Sequence, residues 1–224
     1  MPTDDLTYTI RRSPRARRIR VRVDAHAGVE VVLPQRATKR DARRAVQELR
    51  PWIERKLREA ETARAQLASP AGTVPFLGGH LALRPEPGRT RAHRKGDDLH
   101  LPATQTHAAL ERWYRAEAKR QIEPRLTQAT AALGRPHTRL SIRNQRTRWG
   151  SCSSTGAMSF NWRLMLAPEP VLDYVVWHEA CHLVVMDHSH RFWALVERHL
   201  PGYREPRRWL RQNGSALVLP APAV

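Results

Sequence analysis

Cysteine, acidic residues and long apolar runs are all scarce in this 224-residue chain. The two cysteines, Cys152 and Cys181, form no Cys-x-x-Cys pair. That spacing excludes a disulfide framework and a cysteine-based structural metal site, and both side chains are expected to stay reduced thiols. No apolar stretch approaches the roughly eighteen residues a membrane-spanning helix needs. The opening Met1-Pro2-Thr3-Asp4-Asp5 lacks the basic, apolar and cleavage regions of a secretion signal, so the expected location is cytoplasmic. Acids number 21 against 39 lysines and arginines, for a formal charge of +18. So large an excess favours polyanionic partners, nucleic acid among them, although an arginine-biased composition serving only solubility gives the same total. The length suits one substantial core with a smaller appended lobe.

Against this background stands His178-Glu179-Ala180-Cys181-His182, followed by His188. On an α-helix, residues four apart share a face, so His178 and His182 can offer ring nitrogens to one metal ion. Glu179 follows the first of them, in the general-base position of an H-E-x-x-H metallohydrolase. Apolar residues surround the motif, from Leu172 to Trp177 before it and from Leu183 to Met186 after it, which is the pattern of a buried helix. Two imidazoles and a carboxylate are costly there unless a cation gathers them, and the histidine ligands point to one Zn2+ per chain. A third ligand on the same straight helix would face away. The helix is therefore expected to break near Met186, with Asp187 and Ser189 turning His188 back toward the ion. His190 and Glu197 are alternative third ligands. Val185 stands where a metzincin would carry its turn glycine, so the motif is not read as a metzincin's. Cys181 lies on another helix face and is assigned to packing.

Along the chain, Arg18-Ile19-Arg20-Val21-Arg22-Val23 alternates basic and apolar residues, predicting a half-buried strand with an arginine face. Ala27-Gly28 turns it into Val29–Leu33, completing a hairpin. Thr38 caps a helix to about Leu49 and Pro51 opens another to about Gln66. Short strands around Val74–Leu83 and Leu99–Leu101 flank the basic loop Arg84–Lys95. Leu110, Trp113, Tyr114, Ala118 and Ile122 make one stripe of a long helix from about His107 to Leu133, expected to pack behind the metal helix. Strands are predicted over Arg139–Arg143 and Met158–Leu164, followed after the motif by short helices over His190–Leu200 and Arg204–Arg211. Phe192, Trp193 and Trp209 on those helices are assigned to the core. The expected division is 1–68 for an arginine-rich hairpin and helices, 69–105 for a linker and short strands, 106–212 for the catalytic core and 213–224 for a loose or docked tail.

Several segments together carry a family resemblance. Arg143-Asn144-Gln145, Arg148-Trp149-Gly150-Ser151-Cys152, Asn161-Trp162-Arg163-Leu164, Asp173-Tyr174-Val175-Val176, the H-E-x-x-H with His188-Ser189, and Phe192-Trp193 resemble the YgjP-like metal-dependent hydrolases, relatives of the SprT and WLM metallopeptidases. The resemblance is strong from about Leu140 to Trp209 and looser over the N-terminal hairpin. It implies an α+β fold with a zincin-like core, in which a small antiparallel sheet packs on the metal helix and a long helix. It also implies His178, His182 and His188 as zinc ligands and Glu179 as base. Ala180 departs from the pattern, replacing a larger apolar residue, which bears on packing more than chemistry.

The leading expectation is hydrolysis of a peptide or protein by a water that zinc acidifies and Glu179 deprotonates. Tyr203, Arg163 and Asn161 are candidate transition-state or substrate contacts. Attack on phosphorus, making a nucleotide or phosphoester hydrolase such as a nucleoside triphosphate pyrophosphohydrolase, is the alternative, since arginines clamp phosphates. The scattered acids weigh against the carboxylate-rich sites of magnesium-dependent enzymes. A second alternative is a nucleic-acid-binding protein with a structural metal, contacting phosphates through Arg18, Arg20 and Arg22.

Overall fold

A computed structural model describes residues 6–24, 28–145 and 147–219. The chain divides into two compact units, one holding the residues up to Ala68 with Gln212–Ala216, the other Ser69–Arg211 with the segment after Ala216.

In the first unit, β1 (Tyr8–Arg12), β2 (Arg20–Asp24) and β3 (Gly28–Leu33) form a sheet in the order β1-β3-β2. The predicted hairpin is β2 with β3, antiparallel and pairing Arg22 with Glu30; Ala27 of its expected turn lies outside the described residues. Strand β1 is an addition. It pairs parallel to β3 from the other side, a non-local contact that no turn signal announces. Val29, Val31 and Leu33 point inward and pack with Ala42, Val46 and Ile53 of α1 (Lys39–Glu48) and α2 (Arg50–Gln66). Thr38 caps α1 as expected: its hydroxyl accepts from the Asp41 N–H at 3.1 Å, while the Asp41 carboxylate accepts from the Thr38 N–H at 2.8 Å.

The second unit begins with a mixed sheet, β4-β5-β7-β6, made of β4 (Thr73–Phe76), β5 (Gly79–Glu86), β6 (His93–Lys95) and β7 (Asp98–Pro102). The long helix α3 (Thr106–Ala132) buries the predicted stripe Leu110, Trp113, Tyr114, Ala118 and Ile122. The Tyr114 hydroxyl donates to the Pro75 carbonyl, and Phe76 meets Trp113 at 5.5 Å between ring centroids, which ties α3 to β4.

Strands β8 (Arg139–Arg143), β9 (Gly150–Cys152) and β10 (Ala157–Asn161) form the sheet beside the motif helix, in the order β8-β10-β9. The expected antiparallel sheet is mixed instead: β10 is antiparallel to β9 but parallel to β8. The chain leaves β8 and returns as the β9–β10 hairpin, so β8 takes the far edge of β10. The strand expected to reach Leu164 stops at Asn161. There the Asn161 side chain accepts from the Arg163 N–H at 3.1 Å and starts a 3-10 turn over Trp162–Leu166. The motif helix α4 (Glu169–Cys181) packs against α3, where Arg125 of α3 bonds Asp173 at 2.9 Å and pairs with Glu169. Helices α5 (His190–His199) and α6 (Arg204–Asn213) follow, and then a 3-10 turn over Gly214–Ala216. The class is α+β, with the small sheet and the long helix flanking the motif helix as a zincin-like core requires. Among the described residues no helix is long and apolar enough to cross a membrane.

Candidate metal centre

The motif helix ends earlier than expected. Helix α4 stops at Cys181 with His182 as its cap, and a tightened turn follows in which Leu183 N–H bonds the Ala180 carbonyl at 2.9 Å. The apolar run Leu183–Met186 therefore leaves the helix, and Val184 and Met186 are exposed. The Asp187 carboxylate then accepts from the Ser189 N–H at 3.0 Å, a local turn that starts α5 and swings His188 back over α4.

These turns bring His178, His182 and His188 together, with a ring nitrogen from each within 4.8 Å of the others. The Nε2 atoms of His178 and His188 are 3.0 Å apart. Nitrogens sharing a tetrahedral zinc at about 2.0–2.1 Å stand about 3.3 Å from each other, so the spacing fits one ion. The ring orientations fit as well. Nδ1 of His182 faces the Val185 carbonyl at 3.0 Å and must donate to it, which leaves Nε2 free as a ligand. Nδ1 of His178 lies 3.4 Å from the Tyr174 hydroxyl, which accepts when the opposite nitrogen binds metal. Burial, reinforced by the two neighbouring rings, pushes His178 down to about 3, so it stays a neutral donor at any physiological pH. Phe192 stacks on His182 at 4.5 Å and meets His178 edge-on at 4.9 Å; Trp193 stacks on His188 at 5.6 Å. Residues assigned to packing thus form the floor that fixes the three rings.

The other two candidate ligands are elsewhere. His190 is exposed at the start of α5, and Glu197 pairs with Arg204 at 3.3 Å.

Beside the rings opens a cleft of about 420 Å³, lined by Arg148, Gly150, Cys152, Tyr174 and Met186 with the motif residues. Glu179 is the one carboxylate among the described lining residues. It is 7% exposed and sits directly over Gly150, so closely that a Cβ built there would be 2.5 Å from the Glu179 Cγ. Burial raises its carboxyl to about 7, with the Arg148 guanidinium opposing the rise. Burial also pushes Cys152 up to about 11 and Cys181 up to about 12, keeping both as thiols.

Tyr203, Arg163 and Asn161 do not line this cleft. Tyr203 is buried, stacked on Trp193 at 5.4 Å. Arg163 lies over the Trp162 ring. The Asn161 amide donates to the carbonyls of Gln145 at 2.7 Å and Arg148 at 3.3 Å, so it shapes the loop that carries Arg148. Tyr174 and Arg148, given no role from sequence, line the cleft in their place. Their signal was present in the family segments, but nothing local linked them to the histidines.

His178 and Glu179 give the metal-free protein opposing pH dependences. From pH 6.5 downward, unfolded His178 binds a proton that the fold refuses, so stability falls as pH falls. Folded Glu179 keeps a proton that the unfolded chain releases above about pH 4.5, so its contribution is lost as pH rises to about 7. Glu179→Gln removes only the second effect. Chelated Glu179→Gln protein is expected to exceed chelated wild type by about 3 kcal/mol at pH 8 and to match it at pH 4, as read from thermal melts. Equal melts at pH 8 would mean that the carboxylate is not desolvated.

The YgjP-like family, described as a metallopeptidase domain, matches residues 17–213. Among solved structures, the crystal structure of the metallopeptidase zymogen of Pyrococcus abyssi abylysin is similar at 26% identity, covering 41% of this chain and 93% of that one with a TM-score of 0.37. No curated protein matches the chain. Residues 17–213 span most of the molecule and include every residue of the histidine cluster and its cleft, and the chain belongs to the YgjP-like metallopeptidase family.

Proposed function

We propose that this protein is a zinc-dependent peptidase in which Glu179 takes a proton from the attacking water and passes it to the leaving amine. The observation that carries the reading is the solitary Glu179 carboxylate, buried beside three converging histidine rings in an otherwise open cleft. Zinc held by His178, His182 and His188 would supply the Lewis acidity that acidifies the water and polarises the substrate carbonyl. Three nitrogen donors favour zinc over magnesium, which gathers oxygens. Among the described residues strand β9 pairs with β10 alone, which leaves its other edge without a strand partner where Gly150–Cys152 line the cleft. An extended peptide can lie along that edge, its backbone bonding to the strand. Arg148 is the cation facing the same space, suited to a developing oxyanion or a substrate carboxylate. The reduced thiols suit work in the cytoplasm.

The test offers an unfolded polypeptide and a panel of nucleoside triphosphates to the protein as purified, after chelation, and after zinc is restored. Peptide cleavage that disappears on chelation and returns at one zinc per chain is the expected result. Metal-dependent phosphate release without peptide cleavage would replace this reading with a phosphohydrolase. Bound zinc with turnover of neither would leave a structural metal.

A further inference from the structure

The sheet that bears Glu179's glycine on one face presents a different chemistry on the other. Side chains alternate along each strand, and the pairings Phe160 with Gly150 and Met158 with Cys152 put these four on the face toward Glu179. The opposite face carries Ser151 on β9 and Ser159 on β10, hydrogen-bonded at 2.8 Å, and in register with them Ser141 on β8. Arg139 and Arg143 flank Ser141 on the same face. Asn144 and Gln145 close one end, making a polar hollow of about 440 Å³.

Three properties of this hollow identify what it fits. Its lining holds two arginines and no carboxylate, and neither arginine has an ion pair or hydrogen bond among the described residues. Apart from Ala157 and Met158 its lining residues are arginine, serine, asparagine and glutamine, the types that contact phosphate and sugar in nucleic-acid complexes. Among the described residues it has no aromatic ring on which a base could stack, which argues against base reading by stacking. Arg139 and Arg143 are four residues apart on an extended strand, about 13 Å, a distance that covers about four steps of one strand of a duplex. The arginine face of β2 is less suited, because Glu30 pairs there with both Arg11 and Arg22.

We propose that the outer face of the β8-β10-β9 sheet binds a nucleic-acid backbone without sequence preference, through Arg139, Arg143 and the serine row between the strands. The site is separate from the metal centre and stands whatever reaction that centre performs. Ser151 lies on the rim of both hollows, so a bound strand runs beside the cleft.

The test titrates the full chain with a labelled mixed-sequence oligonucleotide, following fluorescence anisotropy over a salt series. Arg139→Gln/Arg143→Gln is expected to weaken binding about tenfold at low salt and to reduce the slope of log K on log salt by about 1.4–1.8, the contribution of two phosphate contacts. Arg58→Gln/Arg64→Gln removes the same charge from exposed positions on α2 and is expected to do less than half as much. Ser159→Glu, which leaves every arginine in place but puts a carboxylate in the hollow, is expected to weaken binding at least as much as the double variant. Circular dichroism confirms that each variant is folded. Equal losses in both arginine pairs, or wild-type binding by Ser159→Glu, would overturn the proposal. Competition by polyglutamate as strong as by unlabelled oligonucleotide would also overturn it, in favour of an acidic peptide.

Discussion

Glu179→Gln is expected to lower peptide cleavage by on the order of 10²–10⁴-fold while zinc content stays at that of the wild type. The amide keeps the size of the carboxylate but cannot accept a proton, and the other described residues lining the cleft include no carboxylate to replace it. Metal retention follows because the histidine cluster is complete without Glu179. The loss should fall on kcat, since a proton transfer to Glu179 occurs on the way to the transition state and not on substrate binding. Measured kcat and KM with metal analysis on the same sample check all three points. A variant retaining more than about a tenth of wild-type kcat would fall outside the range of a positioned base and move that role to another group.

Much of this centre is legible in the sequence because its first half is local. The spacing of His178, Glu179 and His182 becomes geometry as soon as a helix forms, and the approach of His188 to them is inferable because Asp187 and Ser189 are turn residues. The end of α4 was less legible: Leu183–Met186 has the composition of a buried helix, yet the turn after Cys181 sends it out along the cleft, where Met186 becomes a wall. The stripe on α3 could be read because a 3.6-residue period survives whatever the helix packs against. Strand pairings have no such local record. The parallel partners β1 with β3 and β8 with β10 are chosen in three dimensions, and the mixed order β8-β10-β9 could not be told from a simple meander by alternation alone. Tyr203 likewise has no local record of its place, which the fold makes a buried stacking position on Trp193.

The contact that sequence could least have disclosed gives the other large prediction. Gly150 and Glu179 are 29 residues apart and meet only because the β9 edge is laid against α4. A Cβ on residue 150 would lie 2.5 Å from Glu179 Cγ, 2.8 Å from Cδ and 2.7 Å from Oε1, all inside the closest approach real Cβ atoms make. The backbone at Gly150 is not in the left-handed region, so alanine there meets no conformational penalty of its own and the conflict is with the carboxylate alone. The strand has little freedom to yield, because Gly150 is paired in register with buried Phe160. The side chain of Glu179 must therefore move, and a displacement of about 1 Å at a catalytic group costs about 10² in rate. Gly150→Ala is expected to lower kcat about 100-fold or more, with bound zinc unchanged and a melting temperature within a few degrees of wild type. Combined with Glu179→Gln, it should add far less than its own effect, because both substitutions disable the same carboxylate. Kinetics of the two single variants and the double variant decide the matter: full multiplicative loss would show that Gly150 acts on something other than Glu179, and wild-type activity in Gly150→Ala would show that the carboxylate has room the structure does not give it.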